Sequence, residues 1–182
     1  MKWFKDEDFI RGEVPMTKFI KRNAIVSLLD VSEDDKVLEI GTGTGSVTCQ
    51  MAVICKEVTT IERNDEAIEV AKKNFEKFGL NNVKLIKGKA PEGMDGADFN
   101  KVYIGGSGKN LESIMDKLDE KNNFTVIASF IIFENSYEFK DLLKKRNYKN
   151  IDTYMINVSR AEKLEMMIAE NPVIIVRGEK ND

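Results

Sequence analysis

The chain has 182 residues, of which 42% are hydrophobic and 32% charged, and its formal net charge is −3. This length suits one domain that buries roughly 70% of its unfolded surface, and the interspersed charges disfavour a nucleic-acid partner. No stretch approaches the ~20 apolar residues of a membrane helix, and the N-terminus lacks an apolar signal region, so we expect a cytoplasmic protein with no membrane partner.

The residues that usually bind metals are scarce. The chain has no histidine, and its two cysteines, Cys49 and Cys55, lack the spacing of metal ligands. Both fall on a helix predicted from about residue 46 to residue 55. We therefore expect no metal site, and we assign both thiols to helix packing.

The N-terminal region contains a polar motif and then a periodic apolar run. The motif is Gly12-Glu13-Val14-Pro15-Met16-Thr17-Lys18. The run that follows predicts an amphipathic helix up to about residue 29. Thr17 comes shortly after a proline, where helices tend to begin. It is a candidate both for the helix N-cap and for a ligand contact.

A glycine-alternating turn, residues 41–45, follows the first predicted strand, residues 37–40. Its three glycines lack a Cβ, so they accept positive φ angles and allow a ligand to lie directly on the backbone. The helix that begins near Ser46 adds free N–H groups and the positive end of its dipole. This arrangement predicts a cofactor-binding loop.

An acidic residue ends the second predicted strand. Residues 57–61 form a β-rich run that ends in Glu62. An acidic side chain about twenty residues after the loop of a Rossmann-like βαβ unit reaches ribose hydroxyls. The two features together predict an adenosine-containing cofactor. The alternative is an ordinary glycine-rich turn, with Glu62 as a solvated strand end.

The glycine spacing bears on the choice of cofactor. The nicotinamide dinucleotide fingerprint needs its third glycine at position 46, which is Ser46 here. The spacing is instead G-x-G-x-G, and an acid, Glu39, precedes the loop. This pattern resembles motif I of the Rossmann-like S-adenosylmethionine-dependent methyltransferases. Acidic groups near the loop suit a cationic sulfonium and ammonium.

The rest of the chain alternates strands and helices. Two more loops, residues 88–92 and 105–108, follow predicted strands. Because ligands bind outside the carboxyl ends of strands in open α/β sheets, we expect both loops to face the same crevice as residues 41–45. The predicted elements after Glu62 are a helix that begins at Asn64 or Asp65 and stops at Gly79, strands over 82–87 and 100–104, a helix marked by Leu111, Ile114, Met115 and Leu118, a long apolar strand over 124–132, a helix over 134–146 with Tyr137, Leu142 and Leu143 in the core, and strands near 151–158 and 173–177.

The last two strands have no helix between them, so we expect them to pair antiparallel at the sheet edge. The fold class is therefore α/β, a Rossmann-like, seven-stranded, mostly parallel methyltransferase sheet with helices on both faces and an antiparallel terminal strand pair. We expect one domain over residues 1–182, in which residues 1–30 cover the cofactor and the substrate. The stretch 161–167 has no pattern that we can assign.

Three local motifs narrow the family. They are the N-terminal motif of residues 12–18, Gly88-Lys89-Ala90-Pro91, and Val102-Tyr103-Ile104-Gly105-Gly106-Ser107-Gly108. Together they resemble the cobalt-precorrin-6B C15-methyltransferases (decarboxylating) of cobalamin biosynthesis. The resemblance covers nearly the whole chain. It implies S-adenosylmethionine as cofactor, a cobalt-precorrin tetrapyrrole as substrate, and methylation at C15 with decarboxylation of the C12 acetate side chain.

The resemblance also implies roles for individual residues. Gly41, Thr42, Gly43, Thr44 and Gly45 would line the methionine end of the cofactor, Glu62 would hold the ribose, Ala90 would lie against the adenine, and Thr17 would close over the cofactor. Such loops commonly place an acid where this chain has Lys89, which has only donors. Adenine recognition would then depend on backbone groups and packing.

On the substrate side, Gly105, Gly106, Ser107 and Gly108 would border the tetrapyrrole. Its many carboxylates call for basic side chains, and the candidates are Lys18, Lys109 and Arg160. We name no catalytic residue, because methyl transfer to an electron-rich carbon needs no strong base. The family usually assembles as homo-oligomers, with a tetramer favoured, and an exposed cluster of Trp3, Phe4 and Phe9 would suit such a contact.

Three other functions compete with this interpretation. A tRNA adenine methyltransferase has a similar fold and loop, but it would favour a basic surface and an added binding domain. A nucleotide-binding module without turnover would bind the cofactor and transfer no methyl group. A nicotinamide oxidoreductase is the third alternative, although the glycine spacing argues against it.

Overall fold

The computed structural model describes residues 2–161 and 166–182. Its helices are α1 (Phe19–Leu29), α2 (Ser46–Ala52), α3 (Asp65–Lys77), α4 (Leu111–Leu118) and α5 (Phe133–Lys145), with short 3-10 turns at Asp6–Asp8 and Glu92–Met94. Its strands are β1 (Lys36–Ile40), β2 (Glu57–Glu62), β3 (Val83–Lys87), β4 (Lys101–Ile104), β5 (Phe124–Phe130), β6 (Lys149–Ile156), β7 (Ser159–Ala161), β8 (Met167–Ala169) and β9 (Val173–Lys180).

Seven strands form one sheet in the order β3-β2-β1-β4-β5-β9-β6. The strands β1 to β5 pair in parallel, whereas β9 runs antiparallel to both β5 and β6. The strand order reverses at β1, between β2 and β4, which opens a crevice at the carboxyl ends. The structure confirms the mostly parallel sheet and the antiparallel terminal pair.

Helices cover both faces of the sheet. Ile25 of α1 and Met51 of α2 pack with Val58 of β2 in one apolar cluster. Ile114 of α4 and Phe139 of α5 belong to a second cluster on the opposite face. None of the helices in the described part of the chain is long and apolar enough to cross a membrane.

Local sequence signals start and stop α3 where expected. The Asn64 side chain accepts a hydrogen bond from the Ala67 N–H at 3.0 Å, as an N-cap residue does. Gly79 follows the helix with φ of 65°, a left-handed conformation in which glycine is unstrained. These two residues confirm the predicted boundaries of this helix.

The structure contradicts the expectation that the N-terminal aromatic residues form an exposed cluster. Phe4 and Phe9 are 2% and 7% exposed, and of the three proposed contact residues only Trp3, at 40%, faces outward. The rings of Phe4 and Phe78 lie 4.1 Å apart, and Phe9 meets Phe78 edge to face at 5.1 Å. These rings are core residues because α3 supplies an apolar partner distant in sequence.

Several element boundaries differ from those expected. Helix α2 ends at Ala52, so Cys55 lies beyond it, although both cysteines are buried and free. Strand β5 ends at Phe130, and the Ile131 and Ile132 that were assigned to it are exposed. Tyr137 is 67% exposed rather than a core residue. An apolar side chain alone does not reveal whether a tertiary partner covers it.

A short hairpin was not anticipated. Strands β7 and β8 pair antiparallel, with Ser159 opposite Ala169 and Ala161 opposite Met167. They lie partly in the stretch 161–167, to which no pattern was assigned, and residues 162–165 of that stretch lie outside the described residues.

Candidate functional site

Two glycine-rich loops meet at the crevice. The N–H groups of Gly105 and Gly106 both donate to the Ile40 carbonyl, at 2.9 and 3.2 Å. A Cβ on Gly41 would lie 2.9 Å from the backbone nitrogen of Gly106. Glycine at position 41 is therefore required by close packing as well as by its φ of 91°. The expectation that the loop of residues 105–108 faces the same crevice as residues 41–45 is confirmed.

A cavity of about 730 Å³ opens beside these loops. The residues expected in the site that line it are Thr17, Lys18, Gly41, Thr42, Gly43, Thr44, Glu62, Gly105, Gly106 and Arg160. The cavity has the size of a ligand site.

A second cavity, of about 220 Å³, continues from the first past Gly41, Glu62 and Gly106. Its lining includes Ala90, Ser107 and Gly108, together with Arg63, Lys89 and Asn110, which were not assigned to the site. The two cavities form an elongated space along the carboxyl ends of the strands.

Two expected site residues have other positions. Neither Gly45 nor Lys109 is among the described residues that line the two cavities. A Cβ on Gly45 would lie 2.6 Å from the Phe75 ring, so this glycine allows α2 to pack against α3. Lys109 lies on an exposed turn with φ of 71°.

Glu39 lies beneath the glycine loop and is fully buried. Its Oε2 accepts hydrogen bonds from the hydroxyls of Thr48 and Thr60, the second at 2.7 Å. Its Oε1 is buried and has no hydrogen-bond partner among the described residues. Burial raises the pKa of the Glu39 carboxyl to about 7. A buried, half-satisfied carboxyl that lines the cavity suits a cationic ligand group.

The Glu62 carboxylate is held by three backbone N–H groups at the end of β2. Its Oε2 accepts from Gly43 at 3.0 Å, and its Oε1 accepts from Arg63 at 2.8 Å and Asn64 at 3.0 Å. Both lone pairs of Oε1 are thereby used, and Oε2 keeps one lone pair for a ligand hydroxyl. The side chain is thus fixed at the point where the two cavities join.

Thr17 precedes the helix and is not its N-cap, because α1 begins after Lys18 in that position. The Thr17 carbonyl accepts from Arg22 at 2.8 Å and from the Ser46 hydroxyl at 3.4 Å. Its side chain is one of the polar groups near the Tyr103 phenol. Of the two roles considered, the structure is incompatible with capping, and it brings Thr17 to the cavity wall.

Sequence reasoning did not assign Tyr103 and Ser129. The Tyr103 hydroxyl lies 2.9 Å from the Ser129 Oγ, and both residues line the larger cavity. Burial raises the pKa of the Tyr103 phenol, so it stays protonated. The available signal was the position of Tyr103 at the carboxyl end of a strand, just before a glycine cluster.

Buried polar side chains fasten the N-terminal segment to the helices that flank the loop. Arg22 is fully buried and donates to the carbonyls of Phe4, at 2.5 Å, and Thr17. Gln50 of α2 accepts from the Phe4 N–H at 3.0 Å. Because α2 also carries the end of the glycine loop, the segment is held over the cavity.

Two features of the described residues concern metals and substrate charge. Within residues 2–161 and 166–182, no group of three or more histidine, cysteine, aspartate or glutamate side chains is arranged to hold a metal ion. Lys18 and Arg160 line the larger cavity, together with Lys21 and Glu170, which were not expected there.

Comparisons with known proteins agree with this geometry. A protein of Methanocaldococcus jannaschii named "Probable cobalt-precorrin-6B C(15)-methyltransferase (decarboxylating)" is 39% identical over 177 residues, covering 95% of this chain and 96% of that protein. The crystal structure of a precorrin 8W decarboxylase from Methanobacterium thermoautotrophicum is 30% identical, has a TM-score of 0.90, and covers 96% of this chain and 98% of that one.

A third similar protein is a precorrin-6y C5,15-methyltransferase from Geobacter metallireducens. Its crystal structure is 27% identical with a TM-score of 0.92, covering 98% of this chain and 97% of that one. The family described as the precorrin methyltransferase domain matches residues 8–176. On these matches, the chain belongs to the precorrin methyltransferase family.

Proposed function

We propose that the protein methylates C15 of cobalt-precorrin-6B from S-adenosylmethionine and decarboxylates its C12 acetate side chain, giving cobalt-precorrin-7. The named relatives and the family membership support the substrate. The single observation that carries the cofactor assignment is the buried Glu39 carboxyl, whose Oε1 lacks a partner among the described residues and lies beside a glycine-rich loop. A cation in the cavity would satisfy it.

The residues present fit this cofactor along its length. We assign the methionine end to Gly41, Thr42, Gly43 and Thr44, with Glu39 opposite the ammonium group. Glu62 would accept from a ribose hydroxyl through Oε2, since three N–H groups hold its carboxylate in place. Ala90 lies in the smaller cavity and would pack against the adenine. Thr17 would cover the cofactor from the N-terminal segment.

When bound, the cofactor supplies a methyl group whose bond to sulfur breaks with its electron pair left on sulfur. The chain itself aligns the acceptor carbon and excludes water. The acceptor carbon contributes its own electron pair, and the conjugated macrocycle accepts the electrons released with carbon dioxide. Tyr103 keeps its proton, because burial raises its pKa, and therefore offers the cavity a neutral hydroxyl. No histidine is needed for these steps.

The substrate side is assigned to the wall next to the second glycine loop. Gly105, Gly106, Ser107 and Gly108 would border the tetrapyrrole, and Gly105 and Gly106 line the larger cavity. Lys18 and Arg160 line it too and would face substrate carboxylates. Lys109 lies outside both linings, so the proposal does not depend on it.

The test is incubation of the protein with cobalt-precorrin-6B and S-adenosylmethionine, followed by mass spectrometry of the tetrapyrrole. A product heavier by one methyl group and lighter by one carbon dioxide supports the proposal. A product that has gained only the methyl group overturns the decarboxylation. If the tetrapyrrole is unchanged although calorimetry confirms that S-adenosylhomocysteine binds, the substrate assignment is wrong. The cofactor assignment is unaffected by that result.

We also propose homo-oligomeric assembly, with the tetramer favoured by the family resemblance. Because Phe4 and Phe9 are buried, the contact must use other surfaces. Large exposed apolar side chains at the start of α5 and in the hairpin support this; they are Ile131, Ile132, Phe133, Tyr137, Met166, Met167 and Ile168. Light scattering on the chromatographed protein measures the mass, and a monomer would contradict the proposal.

A further inference from the structure

A buried lysine lies at the cavity wall. Lys21 of α1 is 7% exposed and lines the larger cavity. Its ammonium group lies 2.8 Å from a carboxylate oxygen of Glu170 and donates to the Asn171 carbonyl, also at 2.8 Å. The pair joins the first helix to the segment between β8 and β9.

Two more cations act on the same carboxylate. Lys21 lowers the pKa of Glu170 through its hydrogen bond, and the positive charges of Arg160 and Lys18 add to this effect. Of these cations, Lys21 contacts the carboxylate, and Lys18, Lys21, Arg160 and Glu170 all line the cavity.

Charged side chains of both signs line the cavity. Glu39 and Glu62 lie at the glycine loop, where a cationic cofactor end would bind. The cations lie in the wall formed by the start of α1 and the β7–β8 hairpin. A buried ammonium is costly without a counterion, and Glu170 supplies one here. A ligand carboxylate that enters the cavity offers Lys21 an alternative counterion.

We propose that Lys21 binds a carboxylate of the tetrapyrrole substrate, and that Glu170 occupies this anion site in the free protein and competes with the substrate for it. The inference rests on the proposed function and adds a residue and a mechanism of competition to it. It predicts opposite effects for the two members of one ion pair. If the pair had a purely structural role, removing either partner would weaken tetrapyrrole binding.

The experiment compares three variants. Lys21→Met removes the charge and keeps the aliphatic stem, Glu170→Gln removes the competing charge with little change of shape, and Lys36→Met is the matched control. Lys36 pairs with Asp98 at 2.6 Å, and it begins β1 at the end opposite to the cavity. Each variant is tested for binding of uroporphyrin, a tetrapyrrole with carboxylate side chains, by fluorescence, and for its KM with cobalt-precorrin-6B.

We expect Lys21→Met to weaken uroporphyrin binding and to raise the KM by about tenfold or more. Glu170→Gln should strengthen binding severalfold. Lys36→Met should behave as the unchanged protein. The Kd for S-adenosylhomocysteine, measured by calorimetry, should stay the same in all three and serves as the check of folding.

Weaker or unchanged binding by Glu170→Gln overturns the inference, and so does unchanged binding by Lys21→Met. If Lys21→Met does not fold, the sign of the Glu170→Gln effect decides alone. The proposed function fails separately, when the unchanged protein leaves cobalt-precorrin-6B unmodified. Uroporphyrin binding still tests the anion site in that case.

Discussion

The Glu39 carboxylate accepts a hydrogen bond from the Thr60 hydroxyl, at 2.7 Å, across two neighbouring parallel strands. The bond holds a fully buried acid with Oε2 turned to the two hydroxyls, leaving Oε1 without a partner among the residues that the structure describes. The acid lies directly below the loop of residues 41–45. This arrangement makes the charge of the cofactor site dependent on pH.

The raised pKa of Glu39 should make ligand affinity depend on pH. Burial raises the Glu39 pKa to about 7, so the carboxyl is largely protonated below this pH in the free protein. A cationic ligand favours the charged carboxylate. We expect the affinity for S-adenosylhomocysteine to rise with pH through about 7 and then level off. Calorimetry in two buffers of different ionisation enthalpy should also detect proton release on binding near pH 6.

The raised pKa of Glu39 also makes the stability of the fold depend on pH. Stability should fall with rising pH, whereas the affinity for the ligand should rise. Because the folded-state pKa lies above the unfolded value, the group stabilises the fold fully below the unfolded pKa and loses this contribution as the pH rises through about 7. Chemical denaturation of the ligand-free protein across that range measures the slope. Glu39→Gln should flatten it, and a slope that is the same in this variant would contradict the assignment.

Glu39→Gln is also the direct test of the cofactor contact. Loss of a charged hydrogen-bond partner costs about 1.5–3 kcal/mol, which corresponds to a roughly 10- to 100-fold weaker Kd for S-adenosylhomocysteine. Glu57→Gln is the control, because Glu57 is exposed at the opposite end of the strands. Equal affinities for the two variants would show that Glu39 does not meet the ligand.

Gly45→Ala tests the packing of α2 on α3. The new Cβ would lie 2.6 Å from the Phe75 ring, on a backbone with φ of 74°. Gly79→Ala meets open space at φ of 65°, so it isolates the backbone strain of about 1–2 kcal/mol. We expect Gly45→Ala to lower the free energy of unfolding by about 1–3 kcal/mol more than Gly79→Ala does. Urea denaturation compares them.

Asn74→Ala tests the connection between the N-terminal segment and the cofactor loop. The buried Asn74 amide donates to the carbonyls of Ile10 and Thr44 and accepts from the Ile10 N–H, each at 2.8 Å. Its loss leaves backbone groups unpaired, and we expect a loss of about 3 kcal/mol in stability with weaker S-adenosylhomocysteine binding. The exposed Lys73→Ala on the same helix is the control. An unaltered Kd for S-adenosylhomocysteine would show that the N-terminal segment does not contribute to cofactor binding.

Local sequence determined much of this protein. The glycine-alternating loop between a buried strand and a helix, the acid that ends the next strand, and the cap at Asn64 were all predictable from the residues. They depend on interactions within a few positions of the chain, such as positive φ at glycine and a side chain that caps its own helix. The antiparallel pairing of the last two strands of the sheet followed from the absence of a helix between them.

Other features were decided by the tertiary structure. Lys21 meets the carbonyl of Asn171, 150 residues further along the chain. Phe4 and Phe9 are buried by Phe78, which directly follows a distant helix. Nothing near these residues in the sequence distinguishes a buried lysine from a solvated one, or a core aromatic from an exposed one. Their roles depend on which distant segments pack together, and only the folded chain brings those segments into contact.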